Sequence, residues 1–234
     1  MQLFYTPDIT PASATFFFDK EESRHIIKVL RKKEGDIVHI TNGKGYLFTG
    51  EVAFANEKKC EVRITGEHFY PPMPYRLHLA VAPTKMNERY EWFLEKAVEI
   101  GITEITPIIC EHSERSFFKG ERFEKIIQSA MKQSLQYHMP LLHEPVPYVV
   151  FVQEQRKGLL FIAHCEETDK KLLKAELRPK EDVTLLIGPE GDFSNKEIGQ
   201  AVGLGYIPVS LGNTRLRTET AAIVAAHSVA FVNE

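Results

Sequence analysis

Along the first third of the chain, apolar and polar positions alternate in short runs broken by tight turns. The pattern predicts strands at residues 37–41, 46–55 and 60–65. Asn42-Gly43-Lys44-Gly45 and the polar Glu57-Lys58-Lys59 separate them, and Asn and Gly reach positive φ at low cost, as β-hairpins require. One helix interrupts the strands. Asp19 with Glu22 three residues on makes a capping pair, and Gly35 after Lys33 supplies a stop. At 3.6 residues per turn Ile26, Ile27 and Leu30 share one face, while Arg24, Lys28, Arg31 and Lys32 share the opposite one. This helix is expected to pack on a small β-barrel and present a basic stripe to water.

Tyr70-Pro71-Pro72-Met73-Pro74 is rich in residues that fix φ and remove donors, so it reads as an extended connector. The domain boundary is placed there, giving residues 1–70 and 71–234. Beyond it the period switches between two and 3.6. Strands are predicted at 77–82, 104–109, 159–163, 183–187 and 206–209, with helices at 88–100, 121–137, 170–177, 196–204 and 218–232. Such alternation predicts an α/β domain with a mostly parallel sheet.

Composition narrows the class. The 234 residues are 43% hydrophobic and 26% charged, enough apolar material for a core and too much for a disordered chain. No run approaches the roughly 20 apolar residues of a membrane helix, and the start, MQLFYTPDIT, lacks the regions of a signal peptide. Cys60, Cys110 and Cys165 are few, scattered and odd in number, so neither a disulfide framework nor a cysteine zinc site is expected, and a reducing cytoplasm fits best. The nine histidines show no HExxH-type spacing, so no metal is expected. The formal net charge of −3 argues against a surface basic throughout, and residues 1–70 balance ten Lys/Arg with ten Asp/Glu. Any nucleic-acid footprint must therefore be clustered, as the helix stripe is.

In open α/β sheets ligands bind beyond the carboxyl ends of the strands. Two such loops carry unusual chemistry. Gly188-Pro189-Glu190-Gly191-Asp192-Phe193 follows the strand ending at Ile187 and runs into Ser194 and Glu197, a capping box. Its glycines let a ligand approach the backbone, and the helix amides beyond can donate to it. The second loop, Leu211-Gly212-Asn213-Thr214-Arg215-Leu216-Arg217, enters the last helix at Thr218-Glu219-Thr220-Ala221-Ala222, where the Thr218 hydroxyl is expected to cap the helix. Neither GxGxxG after a strand nor GxxxxGK[ST] occurs, which weakens dinucleotide and P-loop readings.

The chain resembles the RsmE family of 16S rRNA (uracil-N3)-methyltransferases, within the SPOUT superfamily. The likeness runs over nearly the whole length. It rests on His25-Ile26-Ile27-Lys28-Val29-Leu30-Arg31 with Gly35-Asp36, on Glu95 through Gly101, on Gln133-Ser134, and above all on IGPEG at 187–191 with LRTETA at 216–221. The resemblance implies a PUA-like, RNA-binding β-barrel joined to an α/β domain whose C-terminal chain forms a trefoil knot. It further implies S-adenosylmethionine as cofactor, 16S rRNA or the small ribosomal subunit as partner, and a homodimer. Carried across position by position, the cofactor pocket comprises Ile187, Gly188, Pro189, Glu190, Gly191, Leu211, Gly212, Leu216, Arg217, Thr218, Thr220 and Ala221. The family usually has a second glycine where this chain has Asp192, and often Arg where it has Gln136.

Methylating a uracil imide nitrogen requires loss of its proton, so a base and a cation that stabilises the resulting anion are expected. Glu190 and Arg217 are the candidates, although an ion pair of Arg217 with Glu219 or Glu190 would merely brace the loops. Phe193 is a candidate to stack on a splayed base or, alternatively, to fill the core. Arg24, Lys28, Arg31 and Lys32 are expected to bind RNA phosphates. Two other functions stay open: an RNA-binding protein whose SPOUT domain is not catalytic, and a SPOUT methyltransferase acting on a tRNA ribose.

Overall fold

The computed structural model describes residues 1–114, 120–167 and 169–234, and the chain divides into two compact units. The first comprises residues 1–72 and 131–139. Its elements are β1 (Leu3–Tyr5), β2 (Thr15–Phe17), α1 (Lys20–Arg24), a π-helical turn (His25–Val29), β3 (Ile37–Thr41), β4 (Tyr46–Phe54) and β5 (Glu61–Phe69). The strands form one sheet in the order β1-β3-β4-β5-β2, antiparallel except for β1 on β3. Phe4, Ile9, Phe18, Ile26, Ile40, Phe48 and Val62 are buried together in its core. The Asp19 carboxylate accepts from the Glu22 amide at 2.8 Å, as the capping pair requires. Behind it the buried Ser23 hydroxyl donates to the Phe18 carbonyl and accepts from the Cys60 amide.

The helix is shorter than the apolar pattern predicts. After one π-helical turn, closed by Leu30 N–H donating to the His25 carbonyl, Arg31 takes a left-handed φ of 56°. The Asp36 carboxylate then captures the Lys33 amide at 2.7 Å, an alternative to continuing the helix. Hence Arg24 and Lys28 are exposed on the helical segment, while Arg31, also exposed, and Lys32 lie beyond it. Lys32 is half-buried and its ammonium donates to the Ile37 carbonyl at 3.0 Å, so the expected four-residue stripe on one helix face is not formed.

The second unit comprises residues 73–130 and 140–234. It opens with β6 (Leu77–Val81), α2 (Asn87–Ile100), β7 (Glu104–Ile109) and α3 (Gly120–Gln133), whose last three residues belong to the first unit. Next come β8 (Leu141–Leu142), β9 (Val146–Pro147), α4 (Tyr148–Gln153), β10 (Leu159–Ala163), β11 (Lys171–Leu172) and α5 (Leu173–Glu176). It closes with β12 (Val183–Ile187), α6 (Asn195–Gly203), β13 (Ile207–Ser210) and α7 (Thr218–Asn233). The sheet order is β11-β13-β10-β12-β6-β7-β8, with β9 beside β7, and every pairing is parallel. All five residues of β6 and of β12 are buried, as expected for central strands covered on both faces. Among the described residues no helix is long and apolar enough to cross a membrane.

Local signals end elements where the pattern alone runs on. The predicted helix at 121–137 stops at Gln133, and Leu135 turns left-handed at φ 56°. The helix predicted at 170–177 shrinks to the four residues of α5 behind β11. Conversely, α4 lacks a sequence prediction because Tyr-Val-Val-Phe-Val is a β-branched run. It is helical because Tyr148, Phe151 and Val152, spaced three and four apart, bury one face. The capping box of α6 forms as read, with Ser194 and Glu197 bonded reciprocally.

Candidate active site

The carboxyl ends of β10, β12 and β13 open into one cleft of about 670 Å³. Because β10 lies between β12 and β13, the two glycine-containing loops flank the turn that follows β10. Of the expected pocket residues, Ile187, Gly188, Pro189, Glu190, Leu211, Gly212, Leu216, Arg217, Thr218 and Ala221 line the cleft. Gly191 and Thr220 lie outside that lining. Gly191 faces the loop after β7: its carbonyl and that of Asp192 each lie 3.1 Å from His112 Nδ1, and a Cβ there would come within 3.0 Å of His112 Cβ.

The loops are tied together by specific bonds. Thr218 does not cap α7; Arg217 occupies the N-cap position without a side-chain bond, and the buried Thr218 hydroxyl instead donates to the Gly188 carbonyl at 3.1 Å. Asp192 takes φ 62°, a left-handed conformation that Asp tolerates better than most residues. Its carboxylate accepts from the Cys165 amide at 2.6 Å and from the Phe193 amide at 2.9 Å. The residue that replaces a glycine thus fastens the turn after β10 to the turn after β12. Sequence reasoning missed this bond, and it missed Ala163, His164 and Lys170 in the cleft lining, whereas Cys165 and Arg215, also in the lining, stand in segments that the sequence does single out. Thr84-Lys85 and Cys165-Glu166, each following a predicted strand, read from the sequence as rimming the same face, and Cys165 does line the cleft.

Glu190 is exposed, and its Oε1 accepts from the Lys85 amide at 2.9 Å. The Lys85 ammonium pairs with Glu114 at 2.7 Å, so the loop after β6 is bonded both to Glu190 after β12 and to Glu114 after β7. Arg217 is exposed and, among the described residues, its guanidinium makes no ion pair or side-chain hydrogen bond. The bracing pairs do not form: the nearest ion-pair partner of the buried Glu219 is Arg89, at 3.8 Å. Phe193 is 2% exposed and packs on Tyr148 with ring centroids 5.5 Å apart, so it fills the core and offers no face to a base. His164 is buried in the cleft wall, where burial and then the Lys170 charge lower its pKa, and Lys170 itself donates to the His164 carbonyl at 2.9 Å.

A second polar cluster lies near the amino ends of β6 and β7. His78 donates or accepts at Thr106 Oγ1 (2.7 Å), His143 Nε2 lies 3.0 Å from a Glu104 oxygen, and Arg76 pairs with the other. Their donor atoms approach within 4.8 Å, yet Arg76 and Arg156 already bring two positive charges to the same atoms, so no cation is assigned there.

Comparisons with known proteins agree with this architecture. A family model described as an RNA methyltransferase domain matches residues 71–230, and one described as an RNA methyltransferase PUA domain matches residues 18–65. Ribosomal RNA small subunit methyltransferase E of Buchnera aphidicola is 31% identical over 220 residues, covering 90% of this chain and 85% of that one. A structure from Porphyromonas gingivalis described as a probable rRNA-methyltransferase superposes with TM-score 0.93 at 40% identity, covering 100% of this chain and 98% of the other. The structure of ribosomal RNA small subunit methyltransferase E from Neisseria gonorrhoeae bound to S-adenosyl methionine gives TM-score 0.89 at 26% identity, covering 100% and 98%. With the family matched over most of its length and a mostly parallel α/β unit following a PUA domain, the chain belongs to the RsmE family of RNA methyltransferases.

Proposed function

We propose that this protein transfers a methyl group from S-adenosylmethionine to N3 of a uridine in 16S rRNA of the small ribosomal subunit. The observation that carries this reading is one cleft holding a glycine-walled loop, the Glu190 carboxylate and an uncommitted Arg217 guanidinium. The cleft suits the cofactor chemically. Its volume lies within the usual range for small-molecule sites, about 300–1,000 Å³; Ile187, Leu211, Leu216 and Ala221 offer apolar surface for an adenine, and Lys170, Arg215, Glu190 and Asp192 offer both signs of charge for an amino-acid zwitterion.

When bound, the cofactor supplies an electrophilic methyl on a sulfonium. The chain's own contribution is to align and deprotonate. Gly188 and Gly212 let the backbone approach the ligand, and the Thr218 to Gly188 bond fixes the spacing between loops. Glu190, held by the Lys85 amide, accepts the N3 proton, and Arg217 stabilises the charge that develops on the uracil oxygens. In this reading residues 1–70 are a PUA-like RNA-binding barrel and residues 71–234 a SPOUT methyltransferase domain. The flanking of β10 by β12 and β13 suits a C-terminal trefoil knot of the SPOUT kind. The active protein is a homodimer in the cytoplasm, where its substrate is made.

Thermal unfolding with S-adenosylmethionine or S-adenosylhomocysteine, against NAD and ATP, tests the cofactor. At 100 times its dissociation constant a ligand adds about 2.7 kcal/mol, which raises the midpoint by several degrees. No shift with either sulfur compound would refute the enzyme reading and leave an RNA-binding protein. Nucleoside analysis of treated small subunits should give base-methylated uridine; ribose methylation would refute the N3 assignment.

Reversing Arg24, Lys28 and Arg31 to Glu should weaken RNA binding and leave S-adenosylhomocysteine affinity unchanged. The slope of log affinity against log salt should fall by about 2, at roughly 0.7 per single-strand phosphate contact. Equal loss of both ligands would indicate misfolding instead.

A further inference from the structure

The first unit carries aromatic surface that the barrel does not need. Residues 131–139 leave α3 and fold onto the β3–β4 turn: the Gly45 amide donates to the Tyr137 carbonyl at 2.8 Å, the Met139 amide to the Gly43 carbonyl at 2.8 Å, and Lys44 and His138 form an antiparallel bridge. The Tyr137 ring then stacks on Tyr70 with centroids 4.4 Å apart and planes 27° from parallel. His68 meets Tyr70 edge-on, also at 4.4 Å. Gly45 makes this approach possible. At φ 91° it has no room for a Cβ, which would meet the Tyr70 carbonyl and the His138 ring.

These rings are not core. His68 and Lys44 are exposed, Tyr70 keeps 37% of its surface and its neighbour Phe69 48%. A run of exposed aromatic residues at a strand end costs hydrophobic free energy unless a partner covers it. The same segment is tied to the basic helix, because Lys132 pairs at 3.3 Å with Glu22 on α1, the helix that carries Arg24 into the turn bearing Lys28. Exposed ring surface next to exposed cations matches unpaired RNA, whose bases stack on aromatic side chains while its phosphates meet Lys and Arg.

We propose that His68, Tyr70 and Tyr137, with Lys44 beside them, form a stacking platform for an unpaired base of the RNA substrate. The proposal rests on the reading of this protein as an RNA methyltransferase and adds how single-stranded substrate is held. A duplex offers the platform nothing, since its bases already stack on each other. A protein partner would use the rings without the cations and is the alternative the test must reveal.

The test uses the full-length protein with a ten-nucleotide single-stranded RNA carrying one 2-aminopurine, and with the same sequence as a duplex. In the wild type, binding should quench the 2-aminopurine of the single strand as it stacks. Tyr70→Leu with Tyr137→Leu should weaken single-strand binding about tenfold and abolish the quench, whereas Tyr70→Phe with Tyr137→Phe should preserve both. Duplex affinity, the salt slope and S-adenosylhomocysteine binding should be unchanged in both double variants, because no phosphate or cofactor contact is removed. Single-strand affinity unaltered by the Leu changes would overturn the platform. So would equal loss in the Phe variants, which would assign the effect to the hydroxyls, or a wild type that binds RNA without quenching. These outcomes are separable from failure of the methyltransferase reading, which would appear as a wild type that binds no S-adenosylhomocysteine.

Discussion

Replacing Arg217 with Gln is expected to slow methyl transfer about 100- to 1,000-fold, the usual loss when one preorganised group facing developing charge is removed. The affinity for S-adenosylhomocysteine should stay close to that of the wild type. The expectation follows from the geometry: the guanidinium lines the cleft and, among the described residues, has no carboxylate partner that would share its charge. Removing it therefore breaks no internal ion pair, and the structural cost is that of a surface change. Glu190→Gln should slow the step by a comparable factor, about 100- to 10,000-fold for a positioned base. Its deficit should shrink as pH rises, because hydroxide then takes over removal of the imide proton. Single-turnover rates on small subunits, with product affinity measured in parallel, check both variants. An unchanged rate for Arg217→Gln, or a fall in rate matched by a fall in cofactor affinity, would remove Arg217 from the chemistry and return it to binding.

The protein should lose stability steeply as pH falls below 6.5, well above the range in which ordinary carboxylates titrate. Burial, then the charges of Arg156, His143 and Arg76, push the His78 pKa down from 6.5 to about 3. Above pH 6.5 the imidazole is neutral both folded and unfolded, so its contribution is fully present. Below 6.5 the unfolded chain takes up a proton that the folded chain refuses, and stability drops by about 1.4 kcal/mol per pH unit until the folded pKa is reached. The total for this one group is of the order of 5 kcal/mol, comparable to the whole stability of many domains. His143 and His164 are shifted in the same direction, each by burial first, and add to the slope. Denaturant unfolding at pH 7.0, 6.5, 6.0 and 5.5 would measure it. His78→Gln retains a hydrogen-bonding partner for Thr106 but cannot titrate, so its slope should be shallower by about 1.4 kcal/mol per unit. An identical slope in the variant would place the proton uptake elsewhere.

Features encoded by neighbouring residues are legible before the chain folds. The buried strands β6, β7, β10 and β12 stand in the apolar runs, α2 ends at Gly101 where φ is 112°, and α6 begins at the reciprocal Ser194 and Glu197 bonds. The two glycine-containing loops were legible for the same reason, since strand ends in an α/β sheet are where ligands bind.

The remaining features are set by partners distant in sequence and emerge with the fold. Thr218 reads as a helix cap until the Gly188 carbonyl, 30 residues back, claims its hydroxyl. Phe193 reads equally as base-stacking or core until Tyr148 closes over it. Asp192 looks like an obstacle in a glycine position, yet its carboxylate finds the Cys165 amide 27 residues away. The basic helix ends early because the Asp36 carboxylate competes for a backbone amide, and residues 131–139 join the first unit because Gly45 leaves room for Tyr70 and His138 to meet. Periodicity and capping are properties of a few consecutive residues, so they survive in the sequence. Which hydroxyl, carboxylate or cation is already satisfied depends on burial and on competing partners, and these exist only once the chain has folded.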